Sequence, residues 1–146
     1  MNAIDFKPKS DFLEAMISRG FVHQCSDFEG LNAKAKAGEL TTYVGYDCTA
    51  ASLHVGSLIS IMMLSWLQET GNKPIALMGG GTTRVGDPSG KDETRRILTV
   101  EQIEDNKKGI QQIFAKLIAF GDGRTDAIMA DNAEWLAPLN YIEFLR

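Results

Sequence analysis

The sequence predicts an α/β domain built on a parallel sheet, and three observations carry that expectation. Short β-branched or apolar runs alternate with stretches of helical period, the pattern of helices packed on a parallel sheet. The chain has 146 residues, of which 44% are hydrophobic, enough for one domain with its own core. Gly, Ser, Thr and charged residues cluster just after each strand candidate, and open α/β sheets bind ligands beyond the carboxyl ends of their strands.

The first helix is expected over 11–19. Asp11 and Glu14 have capping-box spacing, and Gly20 suits the left-handed position after the last turn. A shorter helix runs from Phe28 to Ala37 and is closed by Gly38. Thr41-Thr42-Tyr43-Val44-Gly45-Tyr46 reads as a strand. From Val55 the period becomes helical, through Leu58, Ile59, Met62, Trp66 and Leu67, until Gly71. Pro74 to Met78 is a buried strand running into Gly79-Gly80-Gly81. Thr99 and Gln102 form a second capping box, opening a helix whose apolar side extends from Ile103 to Ile118 and ends at Gly121. Ala127 to Ala130 is a third strand, and Pro138 to Arg146 begins one more helix. Residues 1–40 are thus a helical segment and 41–146 the first part of the α/β unit. The chain stops seven residues into a helical pattern that starts at Asn140, with no cap, and three strands are few for such a sheet. The expectation is a portion of a longer protein.

Charge and composition exclude several classes. Fifteen Lys and Arg against nineteen Asp and Glu leave a net charge of −4. Acidic residues outnumber basic ones on both sides of Gly90, so no broad basic face for nucleic acid is visible. Two cysteines and two histidines make neither a disulfide framework nor a four-ligand metal site. The most apolar stretch, Leu58 to Leu67, is ten residues long, whereas a membrane span needs about 20. The first residues lack the apolar stretch of a secretory signal. A cytoplasmic protein without a membrane segment is the expectation.

Three segments hold the residues able to do chemistry: Asp47 to Gly56, Gly79 to Lys91, and Asp131 to Trp135. The first follows a strand and opens a helix, whose unpaired N–H groups and dipole favour phosphate. Thr49 adds a hydroxyl and His54 an imidazole, while Gly56 lets a flat group rest on the backbone. Taken alone, His54 reads first as a helix-start residue with its own hydrogen bond; the His-x-Gly turn is what brings in the phosphate reading. The second segment is no P-loop, because Val85 and Asp92 stand where that motif needs glycine and Ser or Thr. Nor is it a dinucleotide fingerprint, since Arg84 takes the place of the third glycine. It reads as a close-approach glycine run followed by a loop with Lys91, Arg95 and Arg96, cations suited to a polyphosphate or to a solvated turn. Asp87, between Gly86 and Pro88, is suited to an ammonium group or to capping a turn. Tyr43, placed near the carboxyl end of its strand, is either packing or a ligand contact.

Taken together, these segments resemble the tyrosyl-tRNA synthetase family of class I aminoacyl-tRNA synthetases, over the N-terminal part of the catalytic domain. The matching text is Tyr43 to Ala50, Ser52-Leu53-His54-Val55-Gly56-Ser57, Pro74 to Gly80, Gly86-Asp87-Pro88-Ser89-Gly90-Lys91, and Asn132 to Trp135 with Pro138-Leu139. The resemblance implies a Rossmann-like catalytic domain with a parallel sheet, of which the N-terminal portion is present. It implies ATP, with Mg2+, and tyrosine as substrates, tyrosyl-adenylate as intermediate, tRNA(Tyr) as acceptor, and a homodimer. Thr49, His54, Lys91 and Arg95 match the catalytic positions. Tyr43, Asp87, Thr82 and Asn132 match positions around the tyrosine. Gly45, Asp47, Thr49, His54, Gly56 and Ser57 match those that line ATP and the adenylate. Two departures stand out: Cys48 replaces the family's usual proline, losing a fixed φ, and Ser57 replaces a second histidine. Two other readings were compatible with the residues: the tryptophan-specific sister enzyme, and a nucleotide-binding module without ligase activity.

Overall fold

In the computed structural model, residues 6–85 and 98–146 are described. The elements run α1 (Asp11–Ser18), α2 (Phe28–Ala37), β1 (Thr41–Asp47), α3 (Val55–Glu69), β2 (Lys73–Gly79), α4 (Gly80–Val85), α5 (Val100–Phe114), β3 (Ile128–Asp131), α6 (Ala133–Leu136) and α7 (Tyr141–Phe144). Among the described residues the strands form one parallel sheet in the order β1-β2-β3. The α/β class and the parallel sheet expected from the sequence are therefore present.

Side chains alternate across a strand, and the alternation splits this sheet into two unlike faces. Tyr46, Ala76 and Met78 pack on Ile61 and Leu64 of α3 and on Ile103, Ile110 and Phe114 of α5. Phe114 meets the Tyr46 ring edge-on, with centroids 4.9 Å apart. Tyr43, Ile75 and Ile128 are in register on the opposite face, where Tyr43 and Ile128 are exposed. Helices α1 and α2 form a second apolar cluster with the far side of α3, through Phe12, Met16, Ala35 and Leu67.

Helix ends follow local chemistry with three corrections. Ser10, not Asp11, caps α1, its hydroxyl accepting from the Leu13 N–H at 3.4 Å. The reason is tertiary: buried Asn32 accepts the Ser10 N–H at 3.1 Å and fixes the chain one residue earlier. The Thr99–Gln102 capping box is present in both directions. Helix α5 ends at Phe114, however, short of Gly121. Beyond it, Ser65 of α3 donates to the Leu117 carbonyl, and Gln68 both donates to and accepts from the Ala119 backbone. Those groups serve the packing of α3 instead of a helical ladder. The last expected helix is likewise reduced to α7, which Asn140 opens by accepting the Ile142 N–H at 3.0 Å. Gly38 and Gly71 take left-handed φ values of +71° and +84°, and Arg124 donates to both of their carbonyls, tying the amino-end loops together. No described helix is long and apolar enough to cross a membrane.

Candidate functional site

Parallel register brings the three strand ends together. Asp47 lies beside Gly79, and Asp131 beside Met78, so the three segments singled out in the sequence share one end of the sheet. Each then leaves its strand in a different way.

After β1 the chain turns through Cys48 to Leu53 before α3. Cys48 is fully buried, and both of its backbone polar groups are held. Its N–H donates to Thr83 Oγ1 at 2.9 Å, and its carbonyl accepts from Asn106 Nδ2 at 2.9 Å. A proline has no N–H and could not make the first bond. The turn is therefore fixed by hydrogen bonds from α4 and α5 and not by a proline ring. One helical turn beyond Asn106, a side chain at Gly109 would place its Cβ 2.3 Å from the Ala51 carbonyl oxygen. That explains a glycine inside a helix, where it otherwise costs about 1 kcal/mol. Thr49 sits exposed on this turn.

His54 is the N-cap of α3, its Nδ1 accepting the Gly56 N–H at 3.0 Å. An Nδ1 that accepts requires the proton on Nε2, so the exposed ring carries its N–H outward. The capping and phosphate-donor readings of His54 are thus compatible. Gly56 is exposed beside it and Ser57 half-buried; a Cβ at Gly56 would lie 2.8 Å from the imidazole.

The glycine run is one of close approach, as expected, and what approaches is the protein itself. Gly80 and Gly81 begin α4, and their closeness is to the protein's own side chains. A Cβ at Gly79 would fall 2.7 Å from Asp47 Oδ1, and one at Gly80 2.4 Å from Asp131 Oδ1. Asp131 Oδ1 accepts the Gly80 N–H at 3.0 Å and the Ala133 N–H at 2.9 Å. Asn132 Oδ1 accepts the Gly81 N–H at 2.7 Å, while its Nδ2 donates to Thr82 Oγ1 at 3.2 Å. The Thr82 hydroxyl is within 3.3 Å of Asp47 Oδ1. Thr82, Asn132 and Asp47 are thereby one connected group.

Tyr43, Gly45 and Asp47 line the open face of β1. Tyr43 is 65% exposed, so it is not part of the core formed by the described residues. It is the third residue of a seven-residue strand, in the amino-terminal half and not near the carboxyl end as expected. Among the described residues nothing outside the adjoining chain lies within 4 Å of the position a Cβ would take at Gly45, so they leave the face open between Tyr43 and Asp47. Asp87, Lys91 and Arg95 lie outside the described residues.

Sequence reasoning missed Lys107. Its ammonium pairs with Asp131 Oδ2 and stands 2.8 Å from Glu104 Oε1. Burial opposes the charge on Asp131, but Lys107 and the Ala133 and Gly80 N–H groups outweigh it and hold the carboxyl below its ordinary range. Burial likewise opposes the Lys107 charge, yet Asp131 and Glu104 raise its pKa. The stabilisation from Asp131 is present above an ordinary carboxyl pKa of about 4 and is lost as pH falls through its lowered value. That from Lys107 is present below about 10.4 and lost as pH rises through its raised value. The available signals were Lys107 three residues after Glu104 within an expected helix, and an acid directly after the third strand.

Burial, with the Asp131 charge adding to it, pushes the Cys48 thiol up to about 11. Since the thiolate is the reactive form, alkylation of the native protein at pH 8 is expected to mark half-buried Cys25 and spare Cys48. Mass spectrometry of tryptic peptides reads this directly; fast native modification of Cys48 would mean that the β1 end opens.

Comparison with known proteins places this geometry in a family. Residues 35–146 match the family model of class I tRNA synthetases (W and Y). The chain is 68% identical over 142 residues to a tyrosine–tRNA ligase of Methylocella silvestris, covering 97% of this chain and 34% of that protein. It is 71% identical over 138 residues to one from Rhodopseudomonas palustris, covering 94% and 33%. The fold is similar to a crystal structure of a C-terminally truncated mitochondrial tyrosyl-tRNA synthetase from Aspergillus nidulans, at a TM-score of 0.72 and 28% identity, over 98% of this chain and 43% of that one. The chain thus spans about a third of the length of the curated relatives it matches. With the parallel sheet, the turn bearing His54 and the family match in agreement, the chain belongs to the class I tRNA synthetases of the tryptophan and tyrosine family.

Proposed function

We propose that this chain supplies the first part of a tyrosine–tRNA ligase, which joins tyrosine to ATP as tyrosyl-adenylate and passes the tyrosyl group to the terminal ribose of tRNA(Tyr). The observation that carries the reading is the open face of β1, on which Tyr43 and Gly45 lead to Asp47 at the shared strand end, followed in the chain by the turn of Thr49 and His54. The relatives' common name as tyrosine–tRNA ligases supports tyrosine over tryptophan. In the first step the tyrosine carboxylate attacks the α-phosphorus of ATP in line, and pyrophosphate leaves. No covalent enzyme intermediate forms, so catalysis consists of positioning and charge stabilisation.

In this reading Tyr43 hydrogen-bonds the substrate phenol and Asp87 receives its ammonium, with Thr82 and Asn132 supporting them. Gly45, Asp47, Gly56 and Ser57 line the adenylate. The His54 Nε2–H and the Thr49 hydroxyl donate to phosphate oxygens as charge builds on them, and Lys91 and Arg95 accompany the departing pyrophosphate. ATP enters with Mg2+ on its phosphates. A homodimer and a cytoplasmic setting belong to the same reading, as does the boundary that makes residues 1–40 a helical segment ahead of the catalytic domain.

The test is exchange of labelled pyrophosphate into ATP, on this chain completed to its relatives' length. Tyrosine is expected to support exchange and tryptophan not. Exchange with tryptophan alone would assign the sister enzyme, and nucleotide binding without exchange would leave only a nucleotide-binding module.

A further inference from the structure

We propose that Lys107 and Asp131 are positioning residues for the tyrosine side of this site, holding the first turn of α4, and with it Thr82, against the end of β1. The inference rests on the ligase reading for its substrate and on geometry for its mechanism. Asp131 divides its carboxylate between two tasks. Oδ1 accepts the backbone N–H groups of Gly80 in α4 and Ala133 in α6, and Oδ2 takes the Lys107 ammonium. The carboxylate is 14% exposed and the Lys107 side chain 19%. This pair is therefore far less solvated than a surface ion pair, for which little contribution is expected. The space it occupies is set by the sequence, since any side chain at Gly80 would collide with Oδ1.

What the pair holds is functional ground. Asp131 fixes the first N–H of α4, and neighbouring Asn132 accepts from Gly81. Asn132 also donates to the Thr82 hydroxyl, which in turn reaches Asp47. A six-residue helix has too few internal bonds to hold its own place, so these side chains set it. Removing the Lys107 charge leaves a mostly shielded carboxylate without its counter-charge, and its grip on Gly80 is expected to slacken.

The test uses Lys107→Met, Lys107→Arg and Asp131→Asn in the chain completed to its relatives' length. Lys107→Met is expected to raise KM for tyrosine in pyrophosphate exchange by about tenfold, equivalent to about 1.4 kcal/mol. KM for ATP is expected to stay within about twofold. Lys107→Arg, which keeps the charge, should recover most of the loss. Asp131→Asn should be non-additive with Thr82→Ala, because the two act through one network. A second readout needs no activity: amide hydrogen exchange at Gly80 and Gly81 should speed up in Lys107→Met. A lower melting temperature with unchanged tyrosine KM and unchanged protection at Gly80 and Gly81 would overturn the proposal, leaving the pair structural. If the unsubstituted protein shows no tyrosine-dependent exchange, the ligase reading falls. In that case protection at Gly80 and Gly81 still decides whether the pair holds α4.

Discussion

Replacing His54 with alanine in the protein completed to its relatives' length is expected to slow adenylate formation by about 10²–10³-fold, the usual loss for one donor to transition-state charge. Tyrosine affinity should change little, because His54 stands on the turn before α3 and Tyr43 on the open face of β1. The side chain also caps α3 through Gly56, so some loss of stability accompanies the substitution; removing a cap commonly costs about 1 kcal/mol. His54→Asn separates the two effects. Asparagine is a good N-cap but lacks the outward N–H at the imidazole's reach. Stability should therefore return while the rate stays low. Single-turnover measurement of adenylate formation, beside thermal melts, reads both. A rate restored by asparagine would make His54 a capping residue and nothing more.

A preparation of these 146 residues by themselves is expected to catalyse no tyrosine-dependent pyrophosphate exchange and to bind tyrosine only weakly. Working pockets bury roughly 70–90% of a small ligand. Here Tyr43 is 65% exposed, Ile128 is 42% exposed, and the described residues leave that face of the sheet uncovered. A phenol resting on Tyr43 would be wet on its other side. The same preparation should self-associate, since Leu139, Ile142, Phe144 and Leu145 are exposed together after β3 and contiguous apolar surface of that kind seeks a partner. Calorimetry with tyrosine and ATP, together with sedimentation, measures both effects. Micromolar tyrosine affinity would show that one face of the sheet suffices as a pocket.

Much of this molecule follows from local chemistry. The left-handed glycine at 38, the Thr99–Gln102 box and the switch from strand to helical period at Val55 are near-neighbour effects, and they fixed α2, the start of α5 and the start of α3. Alternation of strands and helices fixed the parallel sheet, and therefore the meeting of three segments at one strand end. The motif around His54 was legible because its spacing is itself local. Tertiary structure decided the rest, for a common reason: a backbone group is satisfied by whichever partner lies nearest, and that partner is often far away in sequence. Asn32 moved the cap of α1 to Ser10, and Ser65 and Gln68 took the groups that would have lengthened α5. Thr83 and Asn106 hold the turn that a proline would have stiffened. In the sequence the three glycines at 79–81 read only as a close-approach run, with nothing to say what approaches. They are room for Asp47, Asp131 and Asn132, and only the pairing of β2 with β3, with α5 packed on the sheet, could bring Asp131 and Lys107, 24 residues apart, to the start of the helix those glycines begin.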